Sequence, residues 1–356
     1  MTSHIPTTSG SPAILPAAIQ SEDQLDEIMT RPSPRLIEHV KTLKSPLLIL
    51  GAAGKMGPSL AVSVHRAAAA AGRDLKIIAV SRFSGSQTRQ WLESRGVETI
   101  TCDLLERGAF EQLPDTLNLI YLVGLKFGTQ QNPSLTWAVN TLVPTHVVER
   151  FPQARIVALS TGNVYPLVSV KSGGANETDL LTPLGEYSNA AVARERLFEY
   201  SARKHGTPLA LLRLNYAVDL RYGVLLEIAQ KVWANQPVDV TTGYFNCIWQ
   251  GDANEMIVRS LDLASTPPTA FNLTGAETLS VRELAYRFGE LMGRQVRIIG
   301  TEAETALLSN PSRLCAALGK PATALEMVCG WTAHWVLSGG ATLGKATRFE
   351  VRDGRF

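Results

Sequence analysis

Leu47-Leu48-Ile49-Leu50-Gly51-Ala52-Ala53-Gly54-Lys55-Met56-Gly57-Pro58 runs from four consecutive apolar residues into three spaced glycines. Four apolar residues without polar alternation predict a strand buried on both faces, as in parallel sheets. The glycine spacing has a mechanical reading. Gly51 allows a tight turn, Gly54 lets the backbone approach a pyrophosphate, and Gly57 lets the following helix pack close to the strand. Pro58 to Ala71 reads as that helix, so its free N–H groups and the positive end of its dipole would face the phosphates. The stretch therefore predicts a dinucleotide site on Gly51, Gly54, Lys55, Met56 and Gly57.

Working outward, strand and helix patterns alternate. Leu75 to Val80, Thr99 to Cys102, Leu117 to Val123, Arg155 to Leu159 and Leu209 to Leu214 read as strands. Ser86 to Arg95, Leu135 to Arg150 and Leu184 to His205 read as the helices between them. Apolar strands separated by helices predict an α/β fold, a doubly wound parallel sheet of Rossmann type. Beyond Tyr216 the pattern is less regular, which predicts a smaller, interwoven C-terminal substrate lobe. Pro237 to Thr242, Ala270 to Leu273 and Val296 to Ile299 read there as short strands, Val281 to Met292 and Ser312 to Leu318 as helices. The expected division is an N-terminal extension over 1–45, a dinucleotide-binding domain over 46–215, a lobe over 216–335 with returns to the core, and a tail over 336–356. Met1 to about Gln20 is rich in Ser, Thr, Pro and Ala and is expected to be poorly ordered. Short helices are expected after Ser21, which carries a capping pattern, and from Leu36 to Leu43.

Of 356 residues, 45% are hydrophobic and 19% charged, with a net charge of +2. That balance is globular, and without a basic run it argues against nucleic acid or a membrane surface as partner. Four scattered cysteines read as reduced thiols, and six histidines without ligand spacing read as surface or capping residues, with no metal. No secretory leader and no apolar run of about 20 residues is evident, so the expectation is a cytoplasmic protein.

The second strand ends Val80-Ser81-Arg82. An acidic residue at this place would hold the ribose hydroxyls of NAD. A hydroxyl beside a guanidinium suits a 2′-phosphate, and Lys55 adds charge, so NADP is preferred over NAD.

Taken together, these residues resemble the extended branch of the short-chain dehydrogenase/reductase superfamily, the NAD(P)-dependent epimerase/dehydratase family. The resemblance covers about Pro46 to Trp335. It implies that Asp103-Leu104 meet the adenine and that Leu122-Val123-Gly124 line the cofactor. Asn140 resembles the family's Asn on the following helix. Leu159-Ser160-Thr161-Gly162-Asn163-Val164-Tyr165 resembles the family's SS/ST-x-x-VYG segment, and Tyr187 with Glu195 resembles its Y-x-x-x-K-x-x-x-E helix. By resemblance, Tyr187 is the general acid/base, also contacting the cofactor, and Thr161 orients the substrate oxygen. A homodimer through the helices like Leu135 to Arg150 and Leu184 to His205 is implied by fold analogy.

Two departures bear on function. The lysine expected four residues after Tyr187 is Ala191, and Gly162-Asn163 stand where dehydratases carry Asp-Glu. A phenol with a pKa near ~10 needs nearby positive charge to act as a base at neutral pH. Arg194, two turns along the helix, and Lys126, just past the fourth strand, are candidate substitutes; each also reads as a solvated or ion-paired residue. The missing acidic pair argues against dehydration. What remains is an NAD(P)-dependent oxidoreductase or epimerase acting on a hydroxyl or keto group of a sugar, sugar nucleotide or similar polyol. The alternative is a catalytically inactive NAD(P)-binding regulatory or partner protein. The aromatic residues Tyr216, Tyr222, Tyr244, Phe245 and Trp249 read equally as pocket lining or as core, and the tail from Lys345 has no assignable chemistry.

Overall fold

The computed structural model describes residues 15–126, 128, 129 and 131–355. Seven strands form one parallel sheet: β1 (Leu47–Leu50), β2 (Ile77–Ser81), β3 (Glu98–Thr101), β4 (Asn118–Tyr121), β5 (Arg155–Thr161), β6 (Leu209–Leu214) and β7 (Thr269–Leu273). Their order is β7-β6-β5-β4-β1-β2-β3. The chain direction across the sheet reverses between β1 and β4, and in open α/β sheets that switch point is where ligands bind.

Every residue of β1 and β4 is buried, as strands covered on both faces require. Helices α1 (Glu22–Thr30), α2 (Pro34–Val40), α3 (Gly57–Ala70) and α4 (Ser86–Glu93) precede or connect the first three strands. Helices α5 (Pro133–Arg150) and α6 (Glu186–His205) connect β4 to β5 and β5 to β6. One face of the sheet is filled by Leu47, Ile49, Leu60 and Val64, with Leu36 of α2 packed alongside. The other face is filled by Leu48, Leu50, Tyr121, Val147 and Phe198.

Five further helices follow: α7 (Val224–Trp233), α9 (Val281–Met292) and α11 (Leu325–Leu337) pack around Trp331, Phe288, Phe245 and Ile228 in the second lobe, whereas α8 (Gln250–Arg259) and α10 (Ser312–Leu318) return to the sheet, with Met256, Ile257 and Leu314 in its core. Of these, α7, α8 and α11 were not expected from the sequence. Among the described residues no helix is long and apolar enough to cross a membrane, and no group of three or more His, Cys, Asp or Glu could hold a metal ion.

The first N-terminal helix starts where its Ser21 cap predicts; the second runs Pro34–Val40 and not Leu36 to Leu43, because Ser33 caps it and Pro34 takes its first position. Ser21 Oγ accepts from Gln24 N at 3.2 Å and Ser33 Oγ from Leu36 N at 3.1 Å. Residues 1–14 of the stretch expected to be poorly ordered lie outside the described residues. The remainder is packed: Ile19 is buried and the Pro16 carbonyl accepts from Trp331 Nε1 at 2.8 Å. His39 also departs from the surface reading. It is buried because α2 packs against α8 there, with Nε2 3.1 Å from the Val258 carbonyl and Nδ1 3.1 Å from Asp262. The tail folds back over the second lobe. Thr347 Oγ1 donates to Glu227 at 2.8 Å, Phe349 is buried, and Arg352 donates to the Thr305 carbonyl at 2.8 Å. The tail reaches Gly185, just ahead of α6, where a Cβ would lie 2.0 Å from the Gly354 carbonyl oxygen.

Candidate active site

The glycine turn has the geometry its sequence demands. Gly51 sits at φ +81°, and a Cβ there would lie 2.9 Å from Val123 N, so the turn after β1 lies flush against the segment leaving β4. At Gly57 a Cβ would meet the Ala52 carbonyl oxygen at 2.3 Å, which fixes the start of α3 close against the turn. Gly54 is exposed. Helix α3 starts without a side-chain cap and with no acidic residue in its first turn, leaving the positive end of its dipole uncompensated. A bare helix start beside an exposed glycine fits a diphosphate. Ser81 ends β2 half-buried and Arg82 is exposed beyond it. The Ser81 carbonyl accepts from Cys102 N at 2.9 Å, which brings the ends of β2 and β3 together. Beyond β3, Asp103 caps a turn by accepting from Leu105 N at 3.0 Å, and Leu104 is buried. Leu122 and Val123 are half-buried and Gly124 is exposed.

Lys55 goes elsewhere than the sequence suggested. Its ammonium does not join Arg82; it donates to the Ala217 carbonyl at 2.6 Å and sits 4.5 Å over the Tyr222 ring. The side chain crosses from the glycine loop to the segment after β6 because Ala217 offers an acceptor and Tyr222 an aromatic face within its reach. Burial pushes this amine down to about 8, with Asp219 pulling the other way.

Two cavities meet at Lys55 and Tyr222. The larger, ≈940 Å³, extends from Gly54 past Trp91 of α4 to Arg221, Lys345 and Arg348. The smaller, ≈190 Å³, is lined by Met56, Lys126, Thr161, Asn163, Tyr187 and Tyr216, among others. Tyr187 and Thr161, which sequence resemblance singled out for proton transfer and for orienting the substrate oxygen, thus face one space although they stand on α6 and β5. Tyr216 and Tyr222 line it too, whereas Phe245 and Trp249 belong to the core of the second lobe.

Thr161 is held in a defined orientation. Its Oγ1 accepts from Asn163 N at 3.2 Å and caps the short turn Gly162–Val164. Below it lies a buried polar network. Arg213 of β6 grips Glu195 of α6 through Nη2 at 2.7 Å and Nε at 3.1 Å. Ser160 donates a short hydrogen bond to the same carboxylate. Arg213 Nη1 also donates to the Tyr165 hydroxyl at 2.7 Å, and that hydroxyl donates to Asn272 Oδ1 of β7 at 2.8 Å. Glu195 and Arg213 are 0% and 3% exposed. The network ties β5, β6, β7 and α6 together directly under the Thr161 segment. Sequence resemblance located Glu195 and Tyr165 but gave no sign of Arg213 or Asn272.

Ala191 is fully buried in a small apolar cluster with Val164, Tyr165 and Ala175. Arg194 is buried and turns to the β4 side, donating to the Val123 carbonyl at 3.2 Å and to Asn140 Oδ1 at 2.9 Å. Lys126 instead projects into the smaller cavity, where burial pushes its ammonium down to about 8 while Glu227 pulls it up.

A family model for the NAD dependent epimerase/dehydratase family matches residues 47–218. Several solved structures share the fold. The UDP-glucose 4-epimerase of Thermotoga maritima, determined with UDP-glucose, superposes with a TM-score of 0.67 at 16% identity, over 83% of this chain and 99% of that one. The UDP-glucuronic acid 4-epimerase of Bacillus cereus, determined with NAD, gives 0.67 at 17% identity, over 85% and 99%. MoeE5, in complex with UDP-glucose and NAD, gives 0.64 at 20% identity, over 83% and 99%. The curated proteins include no match to the sequence. The likeness to the NAD dependent epimerase/dehydratase family therefore lies in residues 47–218, the part of the chain that carries the glycine turn and all but one strand of the sheet.

Proposed function

We propose that the protein is an NAD(P)-dependent oxidoreductase or epimerase acting on a hydroxyl or keto group of a sugar, sugar nucleotide or similar polyol. The observation that carries this reading is the shared cavity. Tyr187 and Thr161 face it together, and it continues through Lys55 and Tyr222 toward the glycine loop. The nicotinamide-binding relatives described above support the cofactor class, and their sugar-nucleotide ligands support the substrate class.

When bound, the nicotinamide accepts or returns hydride. The protein's own part is to handle the proton. Thr161 Oγ1 accepts from Asn163 N, which leaves its own proton available to a substrate oxygen. Tyr187 removes that oxygen's proton on oxidation and returns it on reduction. Asn163 is buried and cannot ionise, so Gly162-Asn163 supplies no acid and base for eliminating water. Alcohol/ketone interconversion, and epimerisation through a transient ketone, both fit. Incubation with NAD or NADP and a panel of sugars and sugar nucleotides tests the reading. Absorbance change at the reduced-cofactor band, or conversion to an epimer, is the expected outcome. Cofactor binding with no conversion of any member would favour a catalytically inactive binding protein, the reading that buried Ala191 supports.

NADP is the proposed cofactor in preference to NAD, on the strength of exposed Arg82 next to Ser81 at the end of β2. Arg82→Ala is expected to weaken NADP binding about tenfold or more and to leave NAD binding nearly unchanged, as loss of a charge-assisted phosphate contact would. Equal weakening of both in calorimetry would remove this preference.

A homodimer through α5 and α6 is also proposed. Leu135, Trp137 and Leu142 of α5 and Tyr200 of α6 are large apolar residues left exposed. Light scattering should give twice the chain mass, and Leu142→Glu should return the monomer; a native monomer at micromolar concentration would exclude this arrangement.

A further inference from the structure

Ala191 leaves the proton-handling tyrosine without the cation that the helix pattern would supply, and the structure places another one. The segment leaving β4 is held at two carbonyls. Arg194 of α6 donates to Val123 O at 3.2 Å, and Asn140 of α5 donates to Leu125 O at 3.5 Å while accepting from Arg194 at 2.9 Å. A Cβ on Gly124 would lie 2.8 Å from the Arg194 guanidinium, so the guanidinium fills the space beneath that residue. Arg194 is 3% exposed, forms no ion pair among the described residues, and its Nε has no hydrogen-bond partner there. The next residue beyond this clamp is Lys126, whose side chain enters the cavity that Tyr187 and Thr161 line.

We propose that Lys126 supplies the positive charge that Ala191 cannot, acting on Tyr187 across the cavity they share, and that Arg194 and Asn140 position it by clamping the segment from which it projects. The inference rests on the proton-transfer role given to Tyr187 above. Lys126 is a positioning residue in this scheme: it does not exchange the substrate proton but favours the ionised form of the phenol that does. Its own ammonium, brought to about 8 by burial, still carries charge at neutral pH. Lys55 lines the same cavity, but its ammonium is directed to the Ala217 carbonyl and the Tyr222 face on the lobe side. Among the described residues, the other titratable groups lining this cavity are Tyr216 and Tyr222, with Glu227 close to both; none of these adds positive charge. Glu186, on the same helix, accepts from Trp137 Nε1 at 2.6 Å on the outer surface.

The ionisation of Tyr187 can be read without knowing the substrate. Each protein is titrated by near-ultraviolet tyrosinate absorbance against its own Tyr187→Phe counterpart, and the difference isolates this phenol. Lys126→Met is expected to move the midpoint upward by about one unit, the effect of one ammonium across several ångströms of partly dry protein. Lys126→Arg should hold it near the native value, and Ala191→Lys added to Lys126→Met should bring it back down. If Lys126→Met does not fold, Lys126→Gln carries the same expectation. An unchanged midpoint in the neutral variants would overturn the proposal, as would a rise in Lys126→Arg equal to theirs. Calorimetry with NAD and NADP on the same proteins separates the two levels. Loss of binding by the native chain would overturn the proposed function, while the titration would still report on whether Lys126 and Tyr187 are coupled.

Discussion

Tyr187→Phe is expected to lower kcat by about 10²–10⁴-fold, the range spanned by removal of a positioned acid or base. The Kd for the cofactor should stay within about twofold, since the substitution removes one hydroxyl from a ring that is only 8% exposed and leaves the ring's packing in place. The split matters more than the loss. A rise in KM with kcat unchanged would mean that the hydroxyl only binds substrate, because uniform binding affects KM alone. A variant as active as the native protein would withdraw Tyr187 from the reaction. Thr161→Val should act differently. It removes the hydroxyl that caps the Gly162–Val164 turn as well as the substrate contact, so a fall in activity would come with some loss of stability.

The largest effect on stability is expected at Glu195. Glu195→Ala should cost about 3–5 kcal/mol, a fall of about 10 °C in Tm, because it strands the Arg213 guanidinium in a site with almost no access to water. Arg213→Ala should cost a similar amount by leaving the carboxylate alone with Ser160. The guanidinium is held strongly protonated: burial opposes its charge, but the hydrogen bonds and field of Glu195 outweigh burial. Replacing both partners by apolar residues of like size, Glu195→Leu with Arg213→Met, should recover a large part of the loss, since breaking a buried pair costs more than removing it whole. Single variants that lose less than about 1 kcal/mol in denaturant titrations would show that water reaches the pair.

The strand, glycine turn and first helix could be read in advance because each rests on local chemistry: four apolar residues in succession, glycines where a Cβ would collide, and a helix that starts on proline. Helices α9 and α10 are read from apolar residues at helical spacing. Helix α11 shows why others are missed. Leu325–Leu337 is apolar on nearly all sides and packs against both α7 and α9, so it lacks the one-sided periodicity that marks a surface helix. The candidate site divides in the same way. Thr161 and Tyr187 stand in motifs that resemblance can find. The environment of Lys126 is set by contacts from residues 71 and 54 positions apart in the chain, Arg194 to Val123 and Arg194 to Asn140, and no local pattern encodes them. The tail has neither apolar periodicity nor a recognisable motif, yet Thr347 reaches the cavity because Glu227, far away in sequence, offers it a carboxylate.

Strand β7 comes from within the second lobe and pairs with β6 along its full length, from Thr269 against Ala210 to Leu273 against Leu214. The outer edge of the nucleotide-binding sheet is therefore completed by residues that follow much of the other lobe in the chain. The halves cannot be parted at the apparent seam near residue 215 without stripping partners from the peptide groups of β6 and leaving an adhesive border open to other chains. Melting should for the same reason run through both lobes in a single cooperative step, the molecule behaving as one thermodynamic body with two faces and not as a cofactor module with an accessory attached.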